Sequence, residues 1–202
     1  YKQRRISRET LNVYVPMARR FGLEEISQEH TELCFRYLYP KRYARTLEQL
    51  RELRDKQHEA VRSMRDRLME VLARPPLPET AMETMLTHPA SYIHRSEPVD
   101  QVLEGFRIIV PEPLQSYLVL GALHTNFNAV PLKIRDFISN PLWNGCQGLQ
   151  TEVIVDGAPV FVEIVSQEMQ QMNEHGIMAF WKGTPGELSD YYRTCLKQLD
   201  IF

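Results

Sequence analysis

A chain of 202 residues with 43% hydrophobic and 25% charged side chains can bury one core of moderate size. Its 24 basic and 26 acidic residues leave a formal charge of −2, which argues against a general nucleic-acid binder, since such proteins carry a large positive excess. No apolar run approaches the roughly 18–20 residues needed to cross a bilayer, and no apolar segment of a signal peptide follows Tyr1-Lys2-Gln3-Arg4-Arg5. Cys34, Cys146 and Cys195 are odd in number, far apart and form no CxxC pair, which fits a reducing cytoplasm. The missing initiator Met and the abrupt basic opening suggest a piece of a longer protein.

Residues 1–72 read as helical throughout. An amphipathic stretch through Arg8–Val15 ends near Gly22, and Ser27 is placed to cap a second helix that stops before Pro40. A long charged helix is expected from about Tyr43 to Leu72, with Leu47, Leu50, Leu53, Val61, Met64, Leu68 and Leu72 near helical spacing. Its charged remainder reads most simply as a solvated face. Residues 74–100, broken by Pro75, Pro76, Pro78, Pro89 and Pro98, read as a connector holding one short helix around Ala81–Leu86.

From residue 101 onward the pattern is α/β. Phe106–Val110 suits a buried strand and Leu114–Phe127 a helix. Thr151–Val155 and Pro159–Val165 alternate as strands around Asp156-Gly157, a two-residue turn signal, so they form a hairpin. A helix follows over Gln167–Met178. This order implies a mixed sheet with helices on it.

Generic chemical motifs are missing: no GxxxxGK[ST], GxGxxG, HExxH or GxSxG occurs. The histidines, His30, His58, His88, His94, His124 and His175, include no i,i+4 metal pair. Cys146 has no evident base after it and reads as a small buried residue rather than a nucleophile.

Three ordered segments carry a resemblance. The first is Arg4–Gly22, of pattern RRxxxET…YxPxAxRxG, continued by Cys34–Pro40 and Tyr43. The second is Lys133–Thr151, similar to KDYIxxPKxNGYQSLHT. The third is Val160–Ser166 with Met169, Met172, Glu174, Gly176, Ala179, Trp181 and Lys182, similar to VEVQIRTxxMxxxAExGxAAHWxYK. Together they resemble the long RelA/SpoT homologues of the stringent response, over roughly 180 residues. The resemblance implies an α+β fold: a helical arm, residues 1–72, from the end of a hydrolase domain and its linker, then a nucleotidyltransferase-like sheet flanked by helices, residues 73–202.

That family transfers pyrophosphate from ATP to GDP or GTP, which demands a metal, basic residues on the donor phosphates and an aligned acceptor hydroxyl. The resemblance places Val102 at the metal-ligating aspartate and Phe161 at the second acid, and neither can ligate magnesium. Asp100 and Glu163 stand two residues away as candidate substitutes. Cys146 replaces the tyrosine that stacks on guanine, Gln150 the histidine of LHT and Val165 the arginine of QIRT. The phosphate-gripping GRxK element falls by length near Glu79, Thr80 and Met82, with Arg74-Pro75-Pro76 a poorer alternative, and its lysine is absent either way.

Arg107, Arg135, Phe137, Asn144 and Gln147 remain as candidate nucleotide contacts, although Asn144-Gly145 reads equally as a turn and Arg135 as a surface charge. Val102, Phe161 and Val165 would suit a partly filled cleft. The expected reading is therefore a catalytically inactive, cytoplasmic pseudo-synthetase with no cofactor in this stretch. It would be structural or regulatory toward a neighbouring (p)ppGpp hydrolase domain, whose manganese-binding His-Asp motif this chain lacks. A sensor of guanine nucleotide or (p)ppGpp, and a residual magnesium-dependent synthetase using Asp100 and Glu163, are the alternatives.

Overall fold

A computed structural model describes residues 2–95, 99–100, 102–142 and 144–176. Pro98, Trp143, Met178, Ala179, Trp181, Lys182 and Cys195, which the sequence reading uses, lie outside the described residues.

The arm comprises α1 (Lys2–Glu9), a π-helical turn (Thr10–Tyr14), α2 (Val15–Arg20), α3 (Glu24–Leu38) and α4 (Pro40–Leu72). In the π turn the Val15 N–H reaches back to the Thr10 carbonyl, and the proline that follows, Pro16, has no N–H to continue the ladder. Gly22, at φ +70°, reverses the chain, a conformation that glycine adopts without Cβ strain. As a result α3 begins at Glu24, and Ser27 is not its cap. Ser27 sits fully buried inside the helix and accepts a hydrogen bond from Arg19 Nε at 3.0 Å. Pro40 opens α4, where its missing N–H costs nothing.

The connector contains a strand rather than a helix. β1 (Ala81–Leu86) pairs antiparallel with β2 (Leu103–Val110), and Met82 inserts into the core. Ala, Met, Glu and Leu favour a helix on propensity alone, and the free edge of β2 overrides that preference. A short 3₁₀ turn at Pro89–Tyr92 follows.

The remaining elements are α5 (Pro113–Asn126), β3 (Asn128–Ala129), β4 (Arg135–Asp136), β5 (Leu149–Val155), β6 (Ala158–Ser166) and α6 (Gln167–His175). Asp156 and Gly157, both at positive φ, join β5 to β6 as a tight hairpin. The described residues form a mixed sheet in the order β1-β2-β6-β5-β3, with β4 also on β5; β2 and β6 run parallel.

One face of this sheet buries Phe106, Ile108, Val110, Val162 and Ile164 against α5 and the last turns of α4, where Leu68 and Leu72 join the same core. The first half of α4 packs elsewhere, with Leu50 among Phe35, Cys34, Tyr92 and Ile93. The arm and the sheet thus share α4. No described helix is long and apolar enough to cross a membrane.

Candidate functional site

On the opposite face, register alone assembles a row of polar side chains. Glu83 pairs with Arg107, Arg107 with Glu163, Glu163 with Gln150 and Gln150 with Arg135, so one residue from each of β1, β2, β6, β5 and β4 lies in line. Directly paired residues point to the same side of a sheet. At the centre, Arg107 Nε donates to Glu163 Oε2 at 2.8 Å, with side-chain exposures of only 22% and 13%. The Arg107 guanidinium also lies 3.6 Å from Glu83 and 3.8 Å from Glu174 on α6. Burial lowers the Arg107 pKa, but Glu163, then Glu83 and Glu174, outweigh it and hold the group above its ordinary range. Gln150 Nε2 donates a long bond, 3.4 Å, to the other Glu163 oxygen. Arg135, at the far end, is exposed.

Apolar groups surround this row. Phe161, two residues before Glu163 on β6, is half-buried, and its ring lies over Gly105, where a Cβ would stand 2.8 Å from it. Val165 is fully buried with Ile109 and Met169. Val102, 2% exposed, lines a groove against α4 instead. Asp100 accepts from the Tyr92 hydroxyl at 3.1 Å and so is tied to the 3₁₀ turn, not joined to Arg107 and Glu163. The two candidate substitute acids are therefore in separate hydrogen-bonded groups. Val102 and Phe161 offer a metal no oxygen, and the Glu163 carboxylate is already neutralised by a guanidinium, so these residues do not fit a magnesium ion. Among the described residues, no three His, Cys, Asp or Glu side chains are grouped to hold a metal.

The loop before β5 is fastened from two sides. Asn144 Oδ1 accepts from the Cys146 N–H at 3.2 Å, a local turn. From α6, Asn173 accepts from Gln147 N–H at 2.9 Å and donates to the Gln147 carbonyl at 2.7 Å. Phe137 N–H bonds the Gly148 carbonyl at 2.9 Å. Gly148 lies so close to Val165 that a Cβ would meet its methyl at 2.9 Å.

The arm reaches the same place. Gly22 and Gly176, at the end of α6, approach so closely that a Cβ on Gly176 would collide with the Phe21 carbonyl. A Cβ on Gly22 would stand 3.2 Å from the Asn144 carbonyl. Burial pushes the half-buried Cys146 thiol up, and Glu163 and, more weakly, Glu24 of α3 add to that, so Cys146 stays protonated at neutral pH.

Sequence reasoning names most of this face but not Glu83 or Asn173. Asn173 was visible as an amide where the AExG pattern has alanine.

A family model described as the region found in RelA/SpoT proteins matches residues 84–185. The chain is 32% identical over 191 residues to the bifunctional (p)ppGpp synthase/hydrolase SpoT of Escherichia coli K12, covering 89% of this chain and 26% of that protein. It is 32% identical over 187 residues to the GTP pyrophosphokinase of Streptomyces coelicolor, covering 90% of this chain and 22% of that protein. The chain thus spans about a quarter of the length of the curated relatives it matches. Among solved structures it is similar to small alarmone synthetase 1 of Bacillus subtilis bound to its product pppGpp, at 16% identity and a TM-score of 0.41, over 78% of this chain and 89% of that one.

Proposed function

The chain belongs to the RelA/SpoT family, and from that premise we propose that its synthetase-like unit transfers no pyrophosphate and serves as a structural or regulatory support for a neighbouring (p)ppGpp hydrolase domain of the same protein. The observation that carries this reading is the ion pair between Arg107 and Glu163 at 2.8 Å. Glu163 is the one carboxylate on β6, two residues from the expected second acid, and a guanidinium already holds its Oε2. Glu83 and Glu174 add two more acids around that single cation. Without a metal, this excess of negative charge repels a polyphosphate donor.

The support role rests on packing. Leu68 and Leu72 carry the arm into the core of the sheet, and the Gly22–Gly176 approach joins the α2–α3 turn to the end of α6. An arm held at two places carries the position of what precedes it to the sheet as a rigid lever does. A second reading, a guanine-nucleotide or alarmone sensor, is favoured by Arg135, whose exposed guanidinium stands at the edge of the row.

The test is incubation of the purified chain with magnesium, labelled ATP and GDP or GTP, beside an active synthetase. No labelled tetra- or pentaphosphate is expected. Product that disappears in Glu163→Gln overturns the reading, whereas GDP binding lost in Arg135→Ala, without product, selects the sensor.

A further inference from the structure

A groove of about 540 Å³ lies between the middle of α4 and the outermost strand β1, bounded by Arg54, His58, Val61, Arg65, Leu86 and Val102. It does not belong to the polar row. Thr84 and Leu86 line it from the α4 side of β1, whereas Glu83 faces Arg107 on the other side. Residues 54, 58, 61 and 65 follow one another at spacings of four, three and four, so they form a single stripe on α4.

Three guanidiniums line the groove, those of Arg54, Arg62 and Arg65, against the single carboxylate of Asp66. Arg62 lies 4.0 Å from Asp66, and among the described residues neither Arg54 nor Arg65 has an ion-pair partner. The floor is apolar, from Val61, Leu86 and the nearly buried Val102. On a chain of net charge −2, this is a local excess of positive charge beside a hydrophobic surface. Its volume falls in the range of small-molecule sites, roughly 300–1,000 Å³. The stripe from Arg54 to Arg65 runs about 16 Å along the helix, long enough to hold phosphates at one end and an apolar ring system at the other.

We propose that the groove between α4 and β1 is a binding site for a phosphate-bearing ligand with an apolar body, of the size of a nucleoside diphosphate. The phosphates lie against Arg65 at one end of the groove, and the ring system covers Val61, Leu86 and Val102, with Arg54 at its far edge. Arginine holds phosphate oxygens in a two-pronged geometry that lysine does not offer. The site uses none of the residues in the polar row and shares only Val102 with the positions on which the pseudo-synthetase reading rests.

Calorimetric titration of the purified chain with GDP at low salt tests it, with inorganic pyrophosphate as the second probe. The wild-type chain is expected to bind GDP, and the double variant Arg54→Ala/Arg65→Ala at least ten-fold more weakly. Both positions are exposed and alanine is the best helix former, so folding is expected to survive, with circular dichroism as the check. Arg20→Ala, an exposed arginine on α2 away from the groove, should leave this binding unchanged. Pyrophosphate, which has no ring system for the apolar floor, should bind at least ten-fold more weakly than GDP. Absence of GDP binding at millimolar concentration, or binding that ignores the Arg54/Arg65 change, or binding lost only with Arg135, overturns the site. Equal affinity for pyrophosphate overturns the role of the floor.

Discussion

Along β6, Val160, Val162 and Ile164 turn toward α4 and α5 and are buried to 2% exposure or less, while Phe161 and Glu163 between them face the other way. The first set extends the apolar layer of β2 and β5. On the second, Phe161 lies on Gly105 and Glu163 is held by Arg107. A sheet keeps its shape as long as one face stays apolar and continuous. Its other face is then free to change chemistry without unfolding the protein; Gln150, Phe161 and Val165, at which the resemblance expects catalytic side chains, lie on or beside that face, whereas Val102 lies on the α4 side. None of those positions belongs to the apolar layer of Phe106, Ile108, Val162 and Ile164 that holds the fold.

The largest effect should come from breaking the apolar face. Leu68→Ala removes a fully buried side chain that joins the arm to the sheet, and chemical denaturation should show a loss of about 2–5 kcal/mol. A loss under about 1 kcal/mol would mean that the arm and the sheet are not one cooperative unit. On the polar face, Glu163→Gln strands a largely buried guanidinium, with Glu83 and Glu174 left as weaker partners; about 1–3 kcal/mol should be lost. Because those acids remain, the cost should be smaller than that of Leu68→Ala.

Asn173→Ala deletes both bonds to the Gln147 backbone. About 1–2 kcal/mol of stability is expected to go, and amide exchange at Gln147 should accelerate more than at Val153 in the closed core. Equal acceleration at both would show that Asn173 supports the whole fold rather than the loop.

The smallest effect concerns acid. Asp136 accepts from the Ser139 and Ile138 N–H groups and from the Tyr117 hydroxyl. The Ser139 bond leads in holding its carboxyl below the usual range, and partial desolvation opposes it. A depressed folded pKa means stability that is present above the unfolded value, about 4, and lost as pH falls through the folded value. Asp136→Asn should therefore be less stable than wild type at neutral pH, with the gap closing below pH of about 4. A gap independent of pH would assign the loss to geometry rather than charge.

Much of the apolar face is legible in the sequence because period-two alternation marks β5 and β6, and Asp156-Gly157 marks their turn. β1 is not legible, since Ala81-Met82-Glu83-Thr84-Met85-Leu86 carries no alternation of its own and becomes a strand only beside β2. The resemblance points to the polar face residue by residue, yet the contact that defines it stays hidden. Arg107 and Glu163 are 56 positions apart, and only the parallel register of β2 and β6 brings them opposite each other. Taken singly, Glu163 reads as a substitute acid and Arg107 as a candidate nucleotide contact; paired, each satisfies the other. Ser27 misleads for a similar reason, because the helix start is fixed by the positive φ of Gly22 rather than by a capping side chain.

The most direct test of the paired face is a titration of isotope-labelled chain with Mn²⁺ and ATP, following paramagnetic broadening of backbone amides. If Arg107 holds the Glu163 carboxylate, the amides of Glu163, Gln150 and Arg107 should stay sharp at metal concentrations that broaden the same region of an active synthetase. Selective broadening at those three residues, abolished by Glu163→Gln, would contradict the account and show a metal site where the structure has an ion pair.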